Sequence, residues 1–397
     1  MKQHTVLLVG DARMAFPVAK AMSKAGHVVH AGVSCFSNYL EWSRYVAKSF
    51  PHPSLEPGTD EALPLYRAWL EAHPEIDTMQ PVSEGGLRFM TRHREEFSKR
   101  AKLIMPSKEA VETASNKTAM FELCERISAP LAHYRRVSSM TDIADAVGEI
   151  GFPLIIKPSK VDAPLVGRKA LILDDQAQLD EKLTEWPDEH PELLVQKYVR
   201  GPRHSVIFSA DRGRLLGAVE IRAARTHEND GTGYTTYGVT IEPTPGVKSS
   251  VEAIVKALDY TSTGCAQYVV DPQTGEITFM EVNPRVSLGR ISECAGLPHS
   301  LWGLMLAHDE PVSGFPDPWA TKRNVEYVWT KGELNLILSL MKSGEIGAGE
   351  SLKRLGQMTR DAVRCRHAIF EATDPMPAIG VYANKVIAPF RKNRFAA

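Results

Sequence analysis

Glu281, Asn283 and Arg285 fall two residues apart at the end of the stretch Gln267–Arg285, QYVVDPQTGEITFMEVNPR. In an extended chain, residues two apart share a face. A carboxylate, an amide oxygen and a guanidinium on one face suit a divalent cation and a polyphosphate. Mg²⁺ takes hard oxygen ligands and shares them with substrate phosphates, and Arg neutralises phosphate through paired hydrogen bonds. The same residues also fit a surface hairpin with a solvated Glu and an Asn-Pro turn. Two strand-like runs, Gln267–Val270 and Glu276–Glu281, must position them, flanking a turn that contains Asp271, Pro272 and Gly275. Gln267, on the first run, adds a further oxygen.

Other residues with chemical potential lie upstream. Lys157 interrupts the apolar run FPLIIKP, where a charge must meet water or an anion. The segment Ser159–Lys169 after it, with Gly167, Arg168 and Lys169, could fold over phosphates through backbone N–H groups and cations. Lys117 falls in the first turn of an expected helix opened by Ser115 or Asn116, against the helix dipole unless an anion is near. The run LLVQKYV places Gln196 and Lys197 where side chain and backbone can meet a ring edge. Arg222 and Arg225 follow Glu220 at a strand end, suited to a phosphate or a substrate carboxylate; a charged, solvated sheet edge explains them equally. Ser83 and Glu84 follow the strand Ile76–Gln80. They read either as substrate contacts at the carboxyl end of an open sheet or as the cap and first turn of a helix.

The elements around these residues begin with Thr5–Val9, a helix ending at Gly26, and Val28–Ala31, a βαβ opening that implies parallel strands. The Gly10–Arg13 turn lacks the glycines of a dinucleotide site. Lys102–Met105 closes the first unit. Thr226–Val239 reads as a loop, Val247–Tyr260 as a helix, Val286–Gly296 as a loop and turn, and Leu301–His308 as a helix. The tail is helical at Glu333–Met341 and Leu352–Cys365 and ends in a basic stretch containing Lys385, Arg391, Lys392 and Arg394.

With 397 residues, the chain has room for two or three domains. A hydrophobic share of 43%, a charged share of 24% and a formal charge of −1 give no sign of a nucleic-acid binder. No apolar run approaches the roughly 20 residues of a membrane span, and the first residues read as a strand and turn rather than a signal peptide. The five cysteines, Cys35, Cys124, Cys265, Cys294 and Cys365, are scattered and form no CxxC pair, which suggests a reducing, cytoplasmic setting. A homo-oligomer is compatible with all of this.

The order Lys117, Lys157, Gln196–Val199, Gln267, Glu281, Asn283, Arg285 resembles the ATP-grasp superfamily from about Thr5 to His308, in its carboxylate–amine ligase type with a carbamoyl-phosphate-synthase- and biotin-carboxylase-like fold. The resemblance implies an α/β and α+β architecture. It expects a parallel βαβ pre-ATP-grasp domain over 1–105 and an ATP-grasp domain with antiparallel sheets over 106–310, mobile at about 150–200. A helical C-terminal extension over 311–397 follows. It assigns Lys117 and Lys157 to the nucleotide, the backbone of Lys197, Tyr198 and Val199 to the adenine edge, and Gln267, Glu281 and Asn283 to Mg²⁺ (or Mn²⁺). Arg285 belongs at the transferred phosphate; Arg222, on its own chemistry, is the second catalytic candidate. The implied cofactors are ATP and the metal; the implied substrates are a small carboxylate and an amine, joined through an acyl phosphate. Two positions depart from the family: Arg203 stands where a ribose-binding Glu is usual, and the segment after Lys157 is poor in glycine. The rival expectations are a non-catalytic ATP-binding protein and a carboxylase that uses bicarbonate.

Overall fold

The computed structural model describes residues 2–10, 13–34, 40–55, 60–159, 170–183, 192–229, 231 and 233–391. The segment expected to cover phosphates, with Gly167, Arg168 and Lys169, lies outside them, as do Cys35, Lys392 and Arg394 and part of the Gly10–Arg13 turn.

Five parallel strands open the chain: β1 (Thr5–Val9), β2 (Val28–Ser34), β3 (Lys48–His52), β4 (Thr78–Pro81) and β5 (Lys102–Leu103), in the order β3-β2-β1-β4-β5. β1 is buried along its whole length, because alternate side chains feed two cores, Leu7 and Val9 one, Val6 and Leu8 the other. Gly10, at φ +87°, turns the chain out of β1, and a Cβ there would strike Ser83 Oγ. Ser83 caps the helix Glu84–Arg92, accepting from Gly86 N–H at 2.9 Å.

A small antiparallel sheet comes next, built from β6 (Tyr134–Val137), β7 (Leu154–Pro158), β8 (Leu171–Leu173) and β9 (Leu193–Lys197) in the order β6-β9-β7-β8. The helix Lys117–Arg126 leads into it. Asn116 caps that helix, its Oδ1 accepting from Ala119 N–H at 3.2 Å. Lys117 N–H donates to Ser159 O at 3.3 Å, which fixes the helix start beside the end of β7.

The third sheet carries β10 (Arg203–Asp211), β11 (Arg214–Thr226), β12 (Thr235–Thr240), β13 (Ser262–Val270), β14 (Ile277–Asn283), β15 (Glu326–Val328) and β16 (Arg366–His367), in the order β14-β13-β10-β11-β12-β15-β16. One face is covered by the helices Pro245–Ala257 and Lys117–Arg126, through Val206, Phe208, Ala266, Tyr268 and Phe279. On the other, Ile207, Val219, Ile221 and Cys265 pack with Leu288, Ile291 and Leu297 and with the tail residues Tyr327, Ile369 and Val381.

Three details differ from the sequence reading. The second half of Thr226–Val239 is the strand β12, paired to β11 and β15. Val286–Gly296 contains the helix Gly289–Cys294. The tail is more than helical: β15 and β16 extend the third sheet and its side chains enter that sheet's core. Among the described residues no helix is long and apolar enough to cross a membrane.

Candidate active site

The β13–β14 hairpin is irregular near the end that carries Glu281 and Asn283. Gln267 stands opposite Glu281, but the next pair is Tyr268 with Phe279, so Met280 is an extra residue, a β-bulge. In a regular strand Phe279, Glu281 and Asn283 would share a face. The bulge changes the phase: Phe279 enters the helix-covered core, whereas Glu281 and Asn283 turn to the opposite face with Gln267 and Cys265. Asn283 Nδ2 donates to Glu281 Oε1 at 2.9 Å. Arg285, buried, donates from Nη2 to Asn283 Oδ1 at 3.4 Å and to Glu84 Oε2 at 3.3 Å. Glu84, held in the first turn of its capped helix and paired with Arg88, therefore ties the end of β4 to the hairpin.

Cross-strand register adds a row on the same face, Ser205 opposite Gln267 opposite Glu281. Ser205 Oγ is buried and has no hydrogen-bond partner among the described residues. Arg203, one step along β10, donates to Gly233 O at 2.6 Å and to Thr235 Oγ1 at 3.0 Å, while its Nε is buried without a partner there. Burial lowers the Arg203 pKa, and the Glu281 charge opposes that shift.

Lys157 reaches this region from β7. It is buried, its ammonium lies 5.0 Å from the Phe121 ring centre, and it donates to Gln196 Oε1 at 2.7 Å. Gln196 is held in turn by donating to Ala132 O at 3.2 Å. Burial pushes the Lys157 pKa down to about 8, the nearby Lys117 charge adds to the depression, and Glu281 opposes it. A buried cation held by an amide and a ring is poised to receive an anion.

The structure thus groups Lys117, Lys157, Gln196, Arg203, Gln267, Glu281, Asn283 and Arg285. It does not bring Arg222 to them. Arg222 lies two residues from Glu220, which is fully buried on the helix-covered face, so strand alternation sets Arg222 on that same face, at its exposed margin. Arg225 is engaged elsewhere, by Glu333 at 2.9 Å, by Asp361 and by the Tyr237 ring. Lys197 points outward to Glu276 at 3.1 Å; its N–H donates to His133 O and that of Tyr198 to Pro153 O, both at 2.9 Å. Val199 is buried.

Sequence reasoning missed Ser205, Phe121 and Arg13. Arg13, past the carboxyl end of β1, stacks between Trp329 at 4.1 Å and Tyr234 at 4.8 Å from the ring centres. The signal available for Ser205 was its place two residues beyond Arg203 on a strand.

This arrangement of sheets has counterparts. Residues 239–313 match the family model "Carbamoyl-phosphate synthase L chain, ATP binding domain". The chain is 30% identical over 207 residues to the carbamoyl phosphate synthase large chain of Clostridium acetobutylicum, a match covering 50% of this chain and 19% of that one. The biotin carboxylase of Campylobacter jejuni superposes with a TM-score of 0.64 at 17% identity, over 82% of this chain and 74% of the other. Residues 239–313 are thus similar to a carbamoyl-phosphate-synthase-type ATP-binding domain, and the chain shares the fold of a biotin carboxylase. A second structural neighbour, the L-amino acid ligase of Bacillus licheniformis, has a TM-score of 0.64 at 14% identity, over 82% of this chain and 79% of that one. The chain spans about a fifth of the length of the curated carbamoyl phosphate synthases it matches.

The donor set fits a magnesium nucleotide. Glu281, Asn283 and Gln267 supply hard oxygens, and four cations, Lys117, Lys157, Arg203 and Arg285, lie about them. The unpartnered Ser205 Oγ and Arg203 Nε leave buried polar capacity on the face a ligand would occupy.

Proposed function

We propose that this protein is an ATP- and Mg²⁺-dependent ligase that joins a small carboxylate to an amine, releasing ADP and phosphate. The observation that carries the reading is the convergence of buried Lys157, from the small sheet, on the face where the bulge aims Glu281 and Asn283. When bound, the magnesium nucleotide supplies the phosphoryl group that activates the carboxylate. Glu281, Asn283 and Gln267 would hold the metal, and Lys157 and Lys117 the nucleotide's charge. The backbone around Lys197–Val199 would meet the adenine edge. Arg285 would neutralise charge at the transferred group, a contribution that preorganised cations make in a site shielded from water. Gln196 positions the Lys157 ammonium. No side-chain nucleophile is required. The likeness to a protein named L-amino acid ligase supports the carboxylate–amine pairing. We further propose domain limits near 1–105, 106–310 and 311–397.

Release of ADP and phosphate across a panel of paired acids and amines tests the reading. Turnover that needs both an acid and an amine is the expected result. A second reading, ATP binding without catalysis, is favoured by Arg203 at the position usual for a ribose-binding carboxylate; tight ATP binding with no turnover on any pair would select it.

A further inference from the structure

At the amino ends of the parallel strands lies a second cluster of ionisable side chains. His4 precedes β1, Asp77 and Thr78 sit at the start of β4, and His308 and Glu310 follow the helix His299–Ala307. One nitrogen from each of His4 and His308 and an oxygen of Asp77 all lie within 4.8 Å of one another. The two imidazole rings are 3.9 Å apart between centres. Glu310 brings a carboxylate oxygen to 4.0 Å from His4 Nε2.

Hydrogen bonds determine where the ring protons sit. Thr78 Oγ1 gives its one hydrogen to Asp77 Oδ1 at 2.8 Å. It must therefore accept at its 2.7 Å contact with His308 Nε2, so His308 carries its proton on Nε2 and keeps a lone pair on Nδ1. His4 Nδ1 lies 2.9 Å from Asp77 Oδ2 and donates to it, which leaves the lone pair on His4 Nε2. His4 is only 4% exposed, and its Nε2 has no hydrogen-bond partner among the described residues. A carboxylate that fixes one ring nitrogen and leaves the other bare is how histidine metal ligands are oriented. A competing group, His30, His73 and Glu75, is less suited, because the Lys48 ammonium lies 3.3 Å from His73 Nδ1.

We propose that His4, His308 and Glu310 bind a divalent transition-metal ion, zinc being the best match to two imidazoles and a carboxylate, with Asp77 orienting His4. Donors around tetrahedral zinc stand about 3.4 Å apart, against 4.0 Å between His4 Nε2 and the Glu310 carboxylate. Asp77 and Glu310 keep about a third of their surface exposed, which gives the ion an entry path. The bound ion links the start of the chain, β4 and the segment after the hairpin, and has no part in the proposed ligase reaction.

The test uses the full chain, stripped with chelator and titrated with ZnCl₂ alone against a competing chromophoric chelator, with CoCl₂ as a spectroscopic substitute. The wild type and Glu281→Ala should each bind one tight equivalent of zinc, and cobalt should give a tetrahedral visible spectrum. His308→Gln should weaken zinc about tenfold or more. Glu310→Gln, at the exposed side of the cluster, should weaken it similarly and serves if His308→Gln does not fold. Absence of a tight equivalent in the wild type, unchanged binding in the folded variants, or loss of the equivalent in Glu281→Ala would each overturn the proposal.

Discussion

Glu220 and Glu281 belong to the same seven-stranded sheet and face opposite ways. Glu220 is fully buried and fully engaged. Its carboxylate meets His204 Nδ1 at 2.6 Å, Thr244 Oγ1 at 2.8 Å and the Thr244 N–H at 2.8 Å. Glu281 receives one amide hydrogen, from Asn283, and otherwise faces the charges of Lys157 and Arg203. A carboxylate whose acceptors are used up by its own fold stabilises that fold. One left underused amid cations has capacity to spare for a ligand. On this contrast Glu220 serves the fold and Glu281 is the residue we propose as a metal ligand, although both are acidic strand residues.

The largest expected effect separates them directly. Glu281→Ala should lower ADP release by about 10³-fold with little change in Tm, since removing one group that stabilises transferred charge costs about 10²–10³ in kcat and the metal would be lost as well. Turnover close to wild type would break the contrast. The two arginines come next. Arg285→Ala should cost about 10²-fold in kcat, whereas Arg222→Ala, on the Glu220 side of the sheet, should stay within about twofold; steady-state kinetics on both would show whether the sheet face decides.

A pH series sharpens the role of Lys157. Its pKa falls from the ordinary 10.5 to about 8 on folding, so between those values the unfolded chain binds the extra proton and the folded chain does not. This group's contribution to stability therefore rises as pH increases from about 8 towards 10.5. Nucleotide affinity should move the other way, weakening above about pH 8 as the ammonium is lost. Denaturant melts and ATP titrations run in parallel would reveal opposite slopes, and Lys157→Met should flatten both. The smallest effect on turnover belongs to Glu220→Gln, which should leave kcat within about twofold and lower stability by about 1–3 kcal/mol through its disturbed buried acceptors.

Much of this site could be read in the sequence because it follows local rules. The polar residues of EVNPR, the lone charge in FPLIIKP and the caps at Ser83 and Asn116 are each set by neighbours within a few positions. What escaped depends on partners distant in the chain. Strict alternation does place Glu281 with Asn283, but it also places Phe279 with them; only the bulge at Met280 separates the aromatic from the acid. The sequence trace of that bulge is a change of phase, apolar residues at 277 and 279 giving way to one at 282. Arg222 misled because its chemistry suits phosphate and nothing local states which face it takes. That was decided by Glu220, Thr244 and the helix above them. β12 was missed in a run of threonine, glycine and tyrosine whose pairing comes from β11 and β15.

The union of tail and sheet constrains how the molecule can be shortened. Arg225 reaches from β11 to Glu333 and Asp361, and Tyr327, Ile369 and Val381 fill the layer beneath Ile207 and Ile221. A fragment stopping near residue 310 would bare that oily layer and leave a guanidinium without its counter-ions. Residues 326–381 are thus a floor under the sheet that carries Glu281 and Asn283, and any shortening of the chain has to supply that floor from other material.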